Sequence, residues 1–407
     1  MKAAGIIAEF NPLHLGHLHL IREARRITGA DYILILMSGD FVQRGEPAIA
    51  GKHIRTRMAL ESGADAVLEL PVPFSIASAE YFATAAVSLF HKTGVVTHLC
   101  FGAECTDAGL LRSIASMLLS EPPGFKEALK AGLKQGLSFP RARAAALSEA
   151  MHEADLLPLL EKPNNILALE YLKALSRLGS DMEPVFIKRD HASFPEAAAL
   201  RREMEEKRDP EAVRSGLPRE AYPAFSEAFG EAMPLFADDF SSLLQYKLLL
   251  ESGKELTRFT DLSPALEERI KKSLPSYEGF RQFAALIKTK DMTHSRIQRV
   301  LLHILLDLDS RSLSHEILYG EEGYLRFLGF RESAAPLIRS IRAKASVPVL
   351  TGLRDAEHLL QGASLRAFKD SIQASELYRL GCISKFHSNL PPERSRPART
   401  IGDIVLF

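Results

Sequence analysis

Apolar and polar positions follow two rhythms along the first half of the chain. Residues 2–10 (KAAGIIAEF) form an apolar run of strand length, the kind that buries both faces in a parallel sheet. It stops at Asn11-Pro12, and from Leu13 a helical rhythm runs to about Thr28. Further apolar runs predict strands at 31–37 (DYILILM), 64–70 (ADAVLEL), 95–101 (VVTHLCF) and 182–188 (MEPVFIK). Helical stretches at 52–62 and 78–93 lie between them. A longer helical block fills 106–179, with 165–178 its clearest amphipathic segment behind the start signal Pro163-Asn164.

Strands alternating with helices call for a parallel sheet covered on both faces, with ligands at the strand carboxyl ends where strand order reverses. The predicted order is 3-2-1-4-5, because a nucleotide at the end of strand one lies at the reversal point only if strand four flanks it. The expected fold is therefore α/β: a Rossmann-like five-stranded parallel domain over 1–205, with a helical insertion at about 106–180. A mostly helical region at 206–407 follows. Strands are expected to stop near Arg201, apart from a short run at 347–351, and the proline-spaced 207–223 reads as a linker or loosely packed region.

Composition narrows the classes. The 51 basic and 51 acidic residues cancel, which argues against a protein coated by nucleic acid but leaves room for a local basic patch. One such patch lies at 281–300, where Lys288, Lys290, Arg296 and Arg299 could track phosphates; Arg394, Arg396 and Arg399 form a weaker cluster. The three cysteines show no metal or disulfide spacing, and no leader or membrane-length apolar stretch is visible, so a cytoplasmic protein without a membrane partner is expected.

The chemistry gathers at His14-Leu15-Gly16-His17, directly after strand one. A helix start there offers free N–H groups, Gly16 lets a ligand lie against the backbone, and the two imidazoles share one face. A dinucleotide fingerprint is absent from this turn. A solvated helix start and a metal site are the competing readings; the metal would need carboxylate or cysteine ligands that are not near in sequence. Histidines titrating near neutrality can donate charge-assisted hydrogen bonds, worth roughly 1.5–3 kcal/mol each, to a phosphate in its transition state. A second polar loop, Asp40 with Gln43 and Arg44, follows strand two.

With these residues the chain resembles the nucleotidyltransferases of the (H/T)-x-G-H signature. More closely, Ala8 to His17, Ser38 to Ala48, Pro163 to Leu167, Ile187-Lys188-Arg189 and the 288–299 stretch resemble the bacterial tRNA(Met) cytidine acetate ligase family. The resemblance implies that ATP and acetate give acetyl-adenylate, with Mg2+ accompanying ATP and no prosthetic group. The acetyl group then passes to N4 of the wobble cytidine of elongator tRNA(Met). It implies an ATP cradle at Ile7-Ala8-Glu9-Phe10-Asn11-Pro12-Leu13-His14-Leu15-Gly16-His17-Leu18-His19-Leu20, joined by Gly102, Asn164 and Arg189, with His14 and His17 catalytic. It implies no metal ligands from protein side chains. Asn164 reads equally as a helix N-cap. The chain departs from the signature at 195–201 (PEAAALR), which lacks the hydroxyls of the second triphosphate motif and leaves Ser193 and Arg201 to serve. A small-molecule adenylyltransferase and an RNA-binding protein with a decayed nucleotide site are the alternatives.

Overall fold

A computed structural model of the 407-residue chain describes residues 1–189, 194–354 and 356–407. Five parallel strands form its centre: β1 (Ala3–Ala8), β2 (Tyr32–Ser38), β3 (Ala66–Leu70), β4 (Val96–Ala103) and β5 (Glu183–Lys188). Their order is β3-β2-β1-β4-β5, as the sequence predicts. Ile6 of β1 sits opposite Ile35 of β2 on one side and Cys100 of β4 on the other. The reversal point therefore falls between β1 and β4, and both strands end at the same edge.

Alternation along β1 divides the interior, as a period of two must. Ala3 joins one core with helices α3 (Ala79–Lys92) and α4 (Pro163–Arg177). Ala4, Ile6 and Ala8 join a second with α1 (Leu15–Thr28) and α2 (Lys52–Glu61). Among the described residues no helix is long and apolar enough to cross a membrane.

The expectation that strands stop near residue 201 needs correction. Among the described residues the sheet has nine strands, and four come from the C-terminal half. β6 (Leu325–Arg331) lies antiparallel on β3, β7 (Val349–Leu350) pairs with β6, and a hairpin of β8 (Arg399–Ile401) and β9 (Ile404–Leu406) closes that edge. β6 escapes a pattern search because Arg326 interrupts its apolar run. That side chain is buried, which only distant partners make tolerable: Glu69 of β3 at 2.6 Å and Glu393 of the tail.

The supposed linker at 207–223 is also packed, since Val213, Leu217 and Ala221 belong to the second core. Other C-terminal helices, including α5 (His294–Leu305) and the second half of α6 (Gly362–Phe386), build a third core that takes in Phe41, Val72 and Ile76 from the N-terminal half, while Ile317, Leu337 and Phe368 join the first core. Gly45 marks a close approach between the two halves. Its φ is 81°, and a side chain there would run into the backbone of Arg299 at 2.5 Å.

Candidate active site

The chain leaves β1 through residues 9–14, where Phe10 has φ 51° and the Asn11–Pro12 peptide is cis. Asn11 fixes this loop: its buried Oδ1 accepts the Ile49 N–H at 2.7 Å, and its carbonyl accepts Arg201 Nη1 at 2.8 Å. The loop delivers His14 to the N-cap of α1.

Both histidines then cap the helix. His14 Nδ1 accepts the Gly16 N–H at 3.0 Å, and His17 Nδ1 accepts the His14 N–H at 3.2 Å. The rings lie 3.9 Å apart, with Phe10 edge-on to His17. A ring nitrogen that accepts carries no hydrogen, so each neutral imidazole carries its hydrogen on Nε2. The helix cap thereby sets the tautomer. His14 Nε2 is buried and has no hydrogen-bond partner among the described residues.

Their charge state differs from the sequence-based expectation. Burial, with the nearby Arg189 guanidinium, lowers His14 to about 4. Burial, then His14 and Arg189, lowers His17 well below its ordinary value. At neutral pH the two rings are uncharged donors, and the positive charge comes from arginine. Gly16 also plays a different part from the one its sequence suggests. A Cβ there would stand 2.8 Å from His14 Cε1, so the missing side chain makes room for the imidazole itself.

Asn164 and Arg189 reach the same edge. Arg189 continues from β5, its N–H donating to the Ala103 carbonyl at the end of β4. Its Nη1 donates to Asn164 Oδ1 at 3.1 Å, and Asn164 Nδ2 donates to Glu104 at 2.6 Å. Asn164 is therefore no N-cap; the α4 cap position is Lys162. The capping reading fails because the amide is spent on holding the guanidinium. Gly102 presents open backbone, since a Cβ there would find only the Ile187 carbonyl, at 3.9 Å.

Arg201 and Arg44 complete a positive rim. Arg201 lies 3.6 Å from Glu46, and its charge is felt at Glu9 together with those of Arg44 and Arg55. Burial pushes the Glu9 carboxyl up, while the Gln43 N–H, at 2.7 Å from Glu9 Oε1, and these guanidiniums pull it down. Arg44 is exposed. Ser193 lies outside the described residues.

The second polar loop divides by role. Arg44 faces the site, whereas Asp40 is buried and accepts the Lys52 N–H at 2.8 Å, capping α2 from a distance. Gln43 accepts Arg299 Nη1 on its carbonyl at 3.4 Å. Arg299 is only 9% exposed, so this member of the basic stretch braces the N-terminal loop and does not face solvent. Arg296 pairs with Asp261 at 2.9 Å, and Lys288 and Lys290 are exposed.

Sequence reasoning missed Arg55. Its buried guanidinium donates to the carbonyls of Glu9 at 2.6 Å, Ser38 at 3.0 Å and Ala50 at 2.7 Å, and to Gly39. It ties the ends of β1 and β2 together beneath the site. The available signal was α2 itself, a helix that buries Lys52 and Arg55 and so shows no clear apolar stripe.

A helix-capping histidine pair at the reversal point of a parallel sheet defines the class, and the comparisons agree. The family model described as HIGH Nucleotidyl Transferase matches residues 1–390. The tRNA(Met) cytidine acetate ligase of Caldanaerobacter subterraneus subsp. tengcongensis is 36% identical over 390 residues, covering 93% of this chain and 95% of the relative. That of Acetivibrio thermocellus is 35% identical over 392 residues, covering 93% and 94%. Thermotoga maritima TmcAL, solved with alpha-thio ATP, superposes with a TM-score of 0.88 at 32% identity, covering 95% of this chain and 96% of that one. The chain belongs to the tRNA(Met) cytidine acetate ligase family of HIGH nucleotidyltransferases.

Proposed function

We propose that this protein uses ATP to activate acetate as acetyl-adenylate and transfers the acetyl group to N4 of the wobble cytidine of elongator tRNA(Met), in the cytoplasm. The observation that carries the first step is the pair of capped imidazoles with Nε2–H donors beside Arg189. An acetate oxygen attacks the α-phosphorus in line, the bond to the bridging oxygen breaks, and pyrophosphate leaves with its Mg2+. Charge on the equatorial oxygens grows as the bonds change, and the fixed donors meet it without reorganising. Arg189, Arg201 and Arg44 balance the polyphosphate. Arg201 in this rim argues against a decayed site despite the missing hydroxyls at 195–201.

In the second step the cytidine N4 attacks the acetyl carbonyl. AMP leaves with the bonding electrons, and N4 gives up one proton. Lys288 and Lys290, exposed on the C-terminal half, contact tRNA phosphates in this reading, and Arg296 does so once freed from Asp261. Arg299 is withdrawn from the contact set because it is buried.

Acetate-dependent exchange of pyrophosphate into ATP tests the first step, and transfer of labelled acetate to tRNA(Met) tests the second. Exchange with some other carboxylate or nucleotide acceptor, and none with acetate, would point to a cofactor adenylyltransferase. tRNA binding with no exchange at all would point to an RNA-binding protein.

A further inference from the structure

The helical insertion leaves the sheet at the end of β4 and returns through α4, so both of its roots touch the site. Glu104 on the outgoing side accepts from Asn164 Nδ2 and from the Asn165 N–H, and Asn165 Oδ1 accepts the N–H groups of Glu104 and Cys105. Between these roots the insertion has its own core, built around Leu111, Phe125 and Leu147. A packed unit fixed beside the nucleotide crevice holds its outer tip at a set place relative to it.

That tip is the turn between helices Pro123–Lys134 and Phe139–Met151, and residues 133–141 are exposed without a break. Phe139 is 55% exposed, with the Arg143 guanidinium 6.0 Å from its ring centroid. Residues 122–143 carry five basic side chains and one acidic one, Glu127. Among the described residues no carboxylate lies within ion-pair distance of Lys130, Lys134 or Arg141. Other surface cations do hold a carboxylate, as at Arg57 with Glu227 or Lys385 with Asp239.

From this placement we propose that the 133–141 tip is a docking surface for a single-stranded RNA loop, with Phe139 stacking on an unpaired base and Lys130, Lys134 and Arg141 on the flanking phosphates. An exposed aromatic amid unpaired cations suits splayed bases, whereas a duplex hides its base faces. Such a hold acts on the RNA strand, apart from the chemistry in the crevice. The proposal rests on the RNA substrate named above.

The test uses the full chain, an unmodified tRNA(Met) transcript and a fully paired RNA duplex of similar length. Phe139→Ala should weaken transcript binding about tenfold and leave duplex binding unchanged. The triple variant K130A/K134A/R141A should lower the log–log salt slope for the transcript by about 2, at roughly 0.7 per phosphate on a single strand. Thermal melting checks folding, and the milder Lys134→Glu serves if the triple variant melts early. Unchanged affinity and slope in these variants overturn the proposal, as does a change in self-association without a change in RNA binding. If wild type binds the transcript through this tip but transfers no acetate to it, the catalytic reading fails and the docking surface stands. If wild type binds no RNA, both fall.

Discussion

Two of the places where the molecule buries charged and polar groups treat them in opposite ways. In the first, between α2, β3, β6 and the tail, each charge has its counterpart. Lys52 Nζ meets Glu69 at 2.7 Å, Glu393 at 2.9 Å and the Ser375 hydroxyl at 2.7 Å. Arg326 bridges the same two glutamates, and His53 lies 3.0 Å from Glu393. In the second, at the carboxyl ends of β1 and β4, His14 Nε2 stays buried without a hydrogen-bond partner among the described residues, beside the guanidiniums of Arg44, Arg189 and Arg201. Charges matched to this degree mark a scaffold, although His53 Nδ1 has no hydrogen-bond partner there among the described residues. An orphaned donor among guanidiniums at the sheet's reversal point marks a place kept for a ligand, because such buried polar groups are costly to hold.

Substitutions can break this contrast. The largest stability loss is expected from Lys52→Ala, which strips the shared cation from buried carboxylates. It should lower unfolding free energy by about 3–5 kcal/mol in urea titration. A loss below about 1 kcal/mol would mean that water or a shifted proton can replace the lysine, and the two regions would not differ as described.

His17→Ala should act the other way round. Removing one transition-state donor is expected to slow acetate-dependent pyrophosphate exchange about 100- to 1,000-fold. Stability should fall by only about 1 kcal/mol, the worth of a helix cap. Exchange at the wild-type rate would take the histidines out of the chemistry.

Gly16→Ala separates the two readings of that glycine. If its role is to admit the His14 ring, the variant should lose exchange activity together with His14's cap, by about tenfold, with ATP affinity less affected. What has to shift is a side-chain ring and not backbone, hence the smaller effect. A pure loss of ATP affinity would restore the reading in which the ligand touches Gly16.

The finest test is proton uptake. His14 titrates near 4 in the folded chain against about 6.5 unfolded, so between these values the unfolded state holds more protons. Its contribution to stability should therefore be lost as pH falls from about 6.5 to 4. Polyphosphate beside the ring favours the protonated form, so ATP binding at pH 6 should take up protons. Calorimetry in buffers of different ionisation enthalpy measures this, and His14→Asn should reduce it. Equal uptake in both proteins would assign the protons elsewhere.

Much of the saturated and unsaturated regions was visible in the chain, but unequally. The five parallel strands announce themselves as apolar runs, and the strand order follows from where a nucleotide must sit. The histidine pair follows from its place after β1. What stayed hidden depends on long-range pairing. Arg326 makes β6 look unlike a strand until Glu69 and Glu393 are seen beside it. Arg299 looks like a solvent-facing cation until Gly45 brings the N-terminal loop onto α5. Gly16 looks like space for a ligand until the His14 ring is found folded back over it. In each case the local pattern is intact, and the deciding neighbour lies outside its window or in a side-chain rotamer.

Glu393 gives the buried network a sequence in time. A ribosome emits Lys52 and Glu69 early, and the carboxylate that completes their cluster emerges only after more than three hundred further residues. β3 also lacks its antiparallel neighbour until β6 has been made, and before that its edge stands open. The buried network of the first half therefore closes only after the residues of the second half that complete it have been made.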